Sequence, residues 1–377
     1  PLTKRLRIQR MNARMNVTFL IGNGFDLNLG LATQYPDFLK EYLADNPDDT
    51  DEIRRFKEDI RKRDAEDQAN NVDRLWSNAE LAFGNYTNDV AAQGKTVNTY
   101  FAYYDDFCLH LAKYLQKQEL RIRIDGHGQD FVDSIQNFHA GLTEIQKAVI
   151  DKTEAGIDGG YIFNFIIFNY TNIIDKIIED IKANKPKFGN RVIRNVPKVN
   201  SIGRIIHVHG TTTKDMIFGV NDESQITNMA LFEGASPNYL KSFIKQKTNQ
   251  KNEARTDEKT LDIINSSSCF YIYGMSIGAT DTIWWQRIIE RMKVQPAVHV
   301  YIYGYDAPQE TLMQRKRWFY NDQKKEQLLS FATGQTSGLA ERIHIVSDNI
   351  FEAFHGIALP ILADESKSTS ADGDVAV

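Results

Sequence analysis

The apolar positions of this chain follow two rhythms. Short runs of β-favouring residues at 17–21, 161–168, 204–209, 269–273, 298–303 and 343–346 read as strands. The run at 161–168 is nearly continuous, as in a strand buried on both faces, and residues 216–220 suggest one more short strand. Elsewhere the apolar residues return every three or four positions. Phe38, Leu39, Tyr42 and Leu43 mark a first helix, and Leu75, Ala79, Leu81, Ala82, Phe101, Tyr104, Phe107, Leu111 and Leu115 keep the same spacing with no strand signal between them. Charges of mixed sign fill 48–73, as on a solvent-facing helix. Residues 48–150 thus read as an all-helical insertion. Beyond the 161–168 run, Ile173, Ile174, Ile177, Ile178 and Ile181 form one stripe with Asp175, Lys176, Glu179 and Asp180 opposite. At 245–260, Lys245, Lys247, Lys251, Arg255 and Lys259 among polar residues predict a mobile, solvated loop.

Strands alternating with helices predict an α/β fold, Rossmann-like, with a largely parallel sheet flanked by helices. The expected division is a flexible leader at 1–14, core at 15–47, helical insertion at 48–150, the rest of the core at 151–363 and a disordered tail at 364–377. Ligands in such sheets bind outside the carboxyl ends of the strands. Polar punctuation falls at those ends here: Gly22-Asn23-Gly24, Asn169-Tyr170, His209-Gly210 and Gly274-Met275-Ser276. Glycines in a strand–helix turn let backbone N–H groups approach a phosphate. The dinucleotide fingerprint is incomplete, because Leu27 stands where its third glycine belongs and Gly30 comes three residues late.

Composition narrows the classes. The chain has 377 residues, long enough for a sizeable core, with 42% hydrophobic and 25% charged residues as in ordinary globular proteins. A net charge of −5 argues against an obligate nucleic-acid binder, although a local basic patch leaves nucleic acid open. No apolar run reaches the roughly 18–20 residues of a membrane span. Cys108 and Cys269 make no disulfide framework or metal spacing, which points to the cytoplasm. Lys4, Arg5, Arg7, Arg10 and Arg14 make a basic N-terminus without the apolar core of a signal peptide, and Met11 or Met15 is a candidate start.

Taken together, Ile21-Gly22-Asn23-Gly24-Phe25-Asp26 with Gly30-Leu31-Ala32-Thr33-Gln34-Tyr35 and Phe38, Trp76 with Glu80, Phe168-Asn169-Tyr170-Thr171, His207-Val208-His209-Gly210, and Ile272-Tyr273-Gly274-Met275-Ser276-Ile277-Gly278 with Asp281 form a spaced set. The set resembles the AbiH family of bacterial abortive-infection proteins and, more distantly, the sirtuin-like NAD-hydrolysing domains of anti-phage systems. Met275 departs from the family pattern, where His is expected. The resemblance implies phage defence by arrest or death of the infected cell, with a phage-derived trigger and a homo-oligomer among the expected partners. The sirtuin-like comparison implies NAD or a related nucleotide as substrate or ligand, no required cofactor, and catalytic roles for Asn169 and His209. Gly22, Asn23, Gly24, Phe25, Thr33, Tyr170, Gly210, Gly274, Ser276 and Asp281 are the expected nucleotide contacts. Asp26 would be repelled by a pyrophosphate, so it is expected at a ribose hydroxyl or an attacking water.

Cleavage of the N-glycosidic bond of NAD passes through an oxocarbenium-like state. Nicotinamide leaves neutral, so the site needs a base and an orienting group, and His209 and Asn169 suit those tasks. Each residue also has a plainer reading. His207 can be a structural histidine on the strand face it shares with His209, and a metal held by the two lacks a third ligand. Asn169, Asp26 and Asp281 can cap helices. Tyr170, Phe25 and Trp76 can be packing residues and Glu80 a surface residue. The alternative functions are a nuclease or RNA-targeting effector and a non-catalytic nucleotide sensor.

Overall fold

The computed structural model describes residues 14–139, 141–154, 159–193, 196–251, 255–307 and 314–360. The expected tail, and all of the expected leader except Arg14, lie outside them. Strand β1 (Met15–Ile21) is the axis of the molecule. Its residues alternate between two faces and every one from Val17 to Ile21 is buried, as a central strand requires. It pairs in parallel with β2 (Tyr161–Ile167) on one side. Three short segments follow β2 in chain order: β3 (Asn190–Ile193) and β4 (Val196–Val199), which make a separate antiparallel pair, and β5 (Ser201–His207), which extends the sheet beyond β2. On its other side β1 pairs with β6 (Cys269–Tyr273), followed outward by β7 (His299–Tyr303) and β8 (Ile343–Val346). Among the described residues the sheet has six parallel strands in the order β5-β2-β1-β6-β7-β8. The chain builds outward from β1 to β5 and then restarts at β6, so the direction reverses between β1 and β6. Ligand crevices open at such a switch point.

The helices are α1 (Gly24–Asn28), α2 (Tyr35–Tyr42), α3 (Asp51–Ala69), α4 (Ala79–Ala92), α5 (Val97–Glu119), α6 (Gly128–Gln136), α7 (Glu144–Glu154), α8 (Ile173–Asn184), α9 (Pro237–Phe243), α10 (Lys245–Lys251), α11 (Thr256–Ser266), α12 (Thr282–Val294) and α13 (Gln314–Leu329). Phe19 and Phe165 face α6 and the isoleucine stripe of α8, together with Phe351 and Phe354. Leu20, Ile166 and Ile272 face Trp285, Ile288 and Ile289 of α12 and Ile263 and Ile264 of α11. A third core lies above the carboxyl end of the sheet. There α2 to α5 pack Phe38, Phe56, Trp76, Phe83, Tyr103 and Phe107 against Phe218 and Phe243. Phe56 stacks on Tyr103 with ring centroids 4.8 Å apart. These helices form a cap, whereas α6 packs on the sheet itself.

Three expectations change. Residues 216–220 form no strand; Val220 makes a single bridge to Ile244. The strand expected to reach His209 ends at His207. Lys245 does not belong to a solvated loop but opens a helix and is buried, as are the side chains of Asn249 and Thr260 nearby. Residues 252–254 of that stretch lie outside the described residues. No described helix is long and apolar enough to cross a membrane.

Candidate active site

A cavity of about 420 Å³ opens at the carboxyl ends of β1 and β6, between the sheet and the cap. Its floor begins with the glycine turn. The N–H of Gly22 donates to the Tyr273 carbonyl at 2.9 Å and that of Gly24 to the Gly274 carbonyl at 2.7 Å. A Cβ on Gly24 would lie 2.3 Å from the Gly274 Cα, one on Gly22 would lie 2.4 Å from the Met275 Cγ, and Gly274 itself has φ +65°. Glycine is therefore required for the ends of β1 and β6 to touch. Both amides are spent on that contact, so they are not aimed at a phosphate. Asn23 instead grips the next loop: Thr33 Oγ1 donates to its Oδ1 at 2.6 Å, and its Nδ2 donates to the Thr33 carbonyl at 3.1 Å.

Asp26 follows on the first turn of α1 and is 1% exposed. Thr171 Oγ1, beyond the end of β2, donates to its Oδ2 at 2.8 Å, while Oδ1 has no partner. Burial pushes the carboxyl up to about 7, with the Glu119 charge adding to the effect and the polar groups of Thr171 and Asn169 opposing it. Asn169 is buried with neither side-chain atom in a well-formed hydrogen bond. It does not cap α8, whose N-cap position is Asn172. Tyr170 lines the cavity, and its hydroxyl lies 2.8 Å from Glu80 Oε1. Its phenol is pushed far up by burial and then by the Glu80 charge, so it stays a hydroxyl.

His209 sits just past the end of β5. Its Nε2 lies 2.8 Å from Asp281 Oδ1, and its buried Nδ1 has no partner. Asp281 occupies the N-cap position of α12 but makes no cap bond, because its side chain turns to the histidine. Burial raises its pKa, but the Lys245 ammonium and then His209 outweigh that and hold it below the ordinary carboxylate value. Lys245 Nζ donates to Glu80 Oε2 at 2.7 Å and lies 3.9 Å from Asp281 Oδ1. Lys245 stays charged despite burial because of Glu80 and Asp281. Ser276 and Gly274 complete the wall on the β6 side.

The structure thus gathers Gly22, Asn23, Asp26, Thr33, Asn169, Tyr170, His209, Gly274, Ser276 and Asp281 around one cavity. Three expected contacts do not line it. Gly24 lies behind the turn against Gly274. Phe25 points into the core against Phe351, Tyr273 and Phe354. Gly210 makes a tight turn at φ +66°, where a Cβ would lie 1.9 Å from the Asp215 carbonyl oxygen. His207 is also elsewhere, its Nε2 2.7 Å from Asp175 Oδ2. Because β5 stops at His207, strand alternation no longer relates it to His209. Among the described residues no group of three or more His, Cys, Asp and Glu side chains could hold a metal ion.

Two charged cavity residues escape a reading of the sequence. Lys245 stands in a polar, lysine-rich stretch whose composition matches a surface loop; only the apolar pair Phe243-Ile244 before it hints at burial. Glu80 shares a motif with Trp76, but helical spacing leaves open whether it faces solvent. In the structure the Trp76 ring packs edge-on to Phe83 and Glu80 turns into the cavity.

Asp26 Oδ1, both side-chain atoms of Asn169 and His209 Nδ1 are buried without a hydrogen-bond partner, on residues that line the same cavity. Native interiors leave few such atoms, which marks this cavity as the candidate site. The description Bacteriophage abortive infection AbiH belongs to a family model that matches residues 18–303, a span holding all the residues that line the cavity. A comparison with curated proteins finds no match. The match covers well over half of the chain, which belongs to the AbiH family, and its role is therefore in phage defence by abortive infection.

Proposed function

We propose that this cavity binds a nucleotide and hydrolyses the N-glycosidic bond of NAD as the effector step of that defence. The observation carrying the proposal is the orphaned set of Asp26, Asn169 and His209 in a single cavity at the switch point of the sheet. The charges of the cavity favour the cationic end of the dinucleotide over its phosphates. Asp26, Glu80 and Asp281 face a single lysine, and the amides of Gly22 and Gly24 are already bonded. An acidic enclosure stabilises positive charge developing on a ribose. The same charge distribution disfavours a nucleic-acid phosphodiester.

In the reaction, the bond between ribose C1′ and the ring nitrogen breaks and its electron pair goes to that nitrogen, releasing neutral nicotinamide. Asp26, as carboxylate, lies against the positive charge left on the ribose. Asn169 holds a ribose hydroxyl or the incoming water, with one donor group and one acceptor atom both free. Water oxygen bonds to C1′, and its proton passes to Nδ1 of His209. The Asp281 carboxylate takes the Nε2–H, so Nδ1 carries the free lone pair.

The test is nicotinamide release from NAD by the purified chain and by folded Asn169→Ala and His209→Ala variants. Release by the wild type, lowered about 10²–10⁴-fold in each variant, is the expected result. Release that survives both substitutions overturns the assignment of the site.

A further inference from the structure

We propose that Lys245 is a positioning residue that sets the tautomer of His209 through Asp281. One carboxylate oxygen joins the two: Asp281 Oδ1 is 2.8 Å from His209 Nε2 and 3.9 Å from Lys245 Nζ. Lys245 is 4% exposed, and its other neighbour is Glu80 at 2.7 Å. The chain of contacts therefore runs from Glu80 on α4, through Lys245 on α10 and Asp281 before α12, to the histidine after β5.

The chemistry follows from what a carboxyl group does in each protonation state. An ionised carboxylate only accepts hydrogen bonds. Facing it, the imidazole must carry its proton on Nε2, which leaves the lone pair on Nδ1, the atom buried without a partner. A protonated carboxyl can donate instead. Facing that group, Nε2 becomes the acceptor, the ring proton moves to Nδ1, and the free lone pair is lost. Burial favours the protonated carboxyl, and the ammonium of Lys245 is the first of the influences that oppose it. A second carboxylate acting on His209 is Asp257, which burial raises and which the Asn249 amide and the His209 charge oppose. It makes no ion pair with the ring, so the tautomer falls to Asp281.

Removing Lys245 alone would leave Glu80 buried without its cation. The informative variant is therefore Glu80→Gln with Lys245→Met, which removes both charges at nearly constant volume. Glu80→Gln alone keeps the lysine beside Asp281 and is the control. The readout is the long-range ¹H–¹⁵N spectrum of the full chain labelled with ¹⁵N-histidine in mildly alkaline buffer, with His209 assigned by the signal lost in His209→Gln.

The wild type and Glu80→Gln are expected to show His209 protonated on Nε2, and the double variant to show it protonated on Nδ1. Retention of the Nε2–H tautomer in the folded double variant overturns the proposal. The catalytic consequence rests on the reading of His209 as base: the double variant is expected to lose about 10²-fold in kcat for nicotinamide release with KM little changed. The two claims fail separately. A tautomer that switches in a chain that never cleaves NAD removes the proposed function and leaves the positioning role. Cleavage of NAD with a tautomer that does not respond removes the positioning role alone.

Discussion

Asp26 carries the clearest consequence of a single buried side chain. Its carboxyl lies against Thr171 and Asn169, out of water, and is pushed from 3.8 to about 7. The folded chain therefore binds this proton more tightly than the unfolded chain does. Between 3.8 and about 7 the folded state holds the extra proton, so stability from this residue falls as pH rises and its loss is complete above about 7. The size is on the order of 4 kcal/mol. Asp26→Asn keeps an oxygen for the Thr171 hydroxyl and cannot ionise. In urea unfolding, the variant is expected to gain on the wild type as pH rises from about 4 to about 7 and to hold that gain above it. Parallel pH profiles for the two chains would contradict the account. In turnover, the same variant is expected to lose about 10²–10³-fold in kcat, because the charge opposite the ribose is gone.

The element that organises the site is the junction of β1 and β6, where glycines serve packing before chemistry. Gly24→Ala would force a Cβ to within 2.3 Å of the Gly274 Cα, and neither backbone has a flexible end to yield. The expected cost is about 1–3 kcal/mol or more, read by denaturant unfolding. An unchanged midpoint would show that the two strand ends can move apart. Elements of this kind were largely legible in the sequence. β1, β2 and β6 read as strands because burial on both faces leaves a nearly unbroken apolar run. α13 was not legible: only Leu328 among its residues is buried, so no apolar period marks it. Lys245 is hidden in the sequence for a related reason. Its buried charge is matched by Glu80 and Asp281, and local composition carries no trace of partners so far away in the chain, Glu80 lying 165 positions off. The turn at Gly22-Asn23-Gly24 suggests a phosphate cradle because sequence shows where glycines stand, not which carbonyls their amides meet.

At the scale of the molecule, sheet and cap are joined across the cavity. Glu80 reaches from the cap to Tyr170 at the end of β2 and to Lys245, which in turn faces Asp281 beyond β6. Lys245→Ala strands a buried carboxylate and is expected to destabilise the chain by about 3–5 kcal/mol, whereas replacing both Glu80 and Lys245 by neutral residues of similar size is expected to cost much less. Equal losses in the single and double variants, measured by denaturant unfolding, would contradict that account of the pair. The family match shows phage defence, and NAD cleavage is the chemistry proposed for the cavity.

The most direct test of that link follows NAD in phage-infected bacteria that carry either the wild-type chain or Asn169→Ala at equal abundance. The account predicts a fall in NAD during infection with the wild-type chain alone, and loss of protection with the variant. Protection by the wild type at unchanged NAD would contradict it.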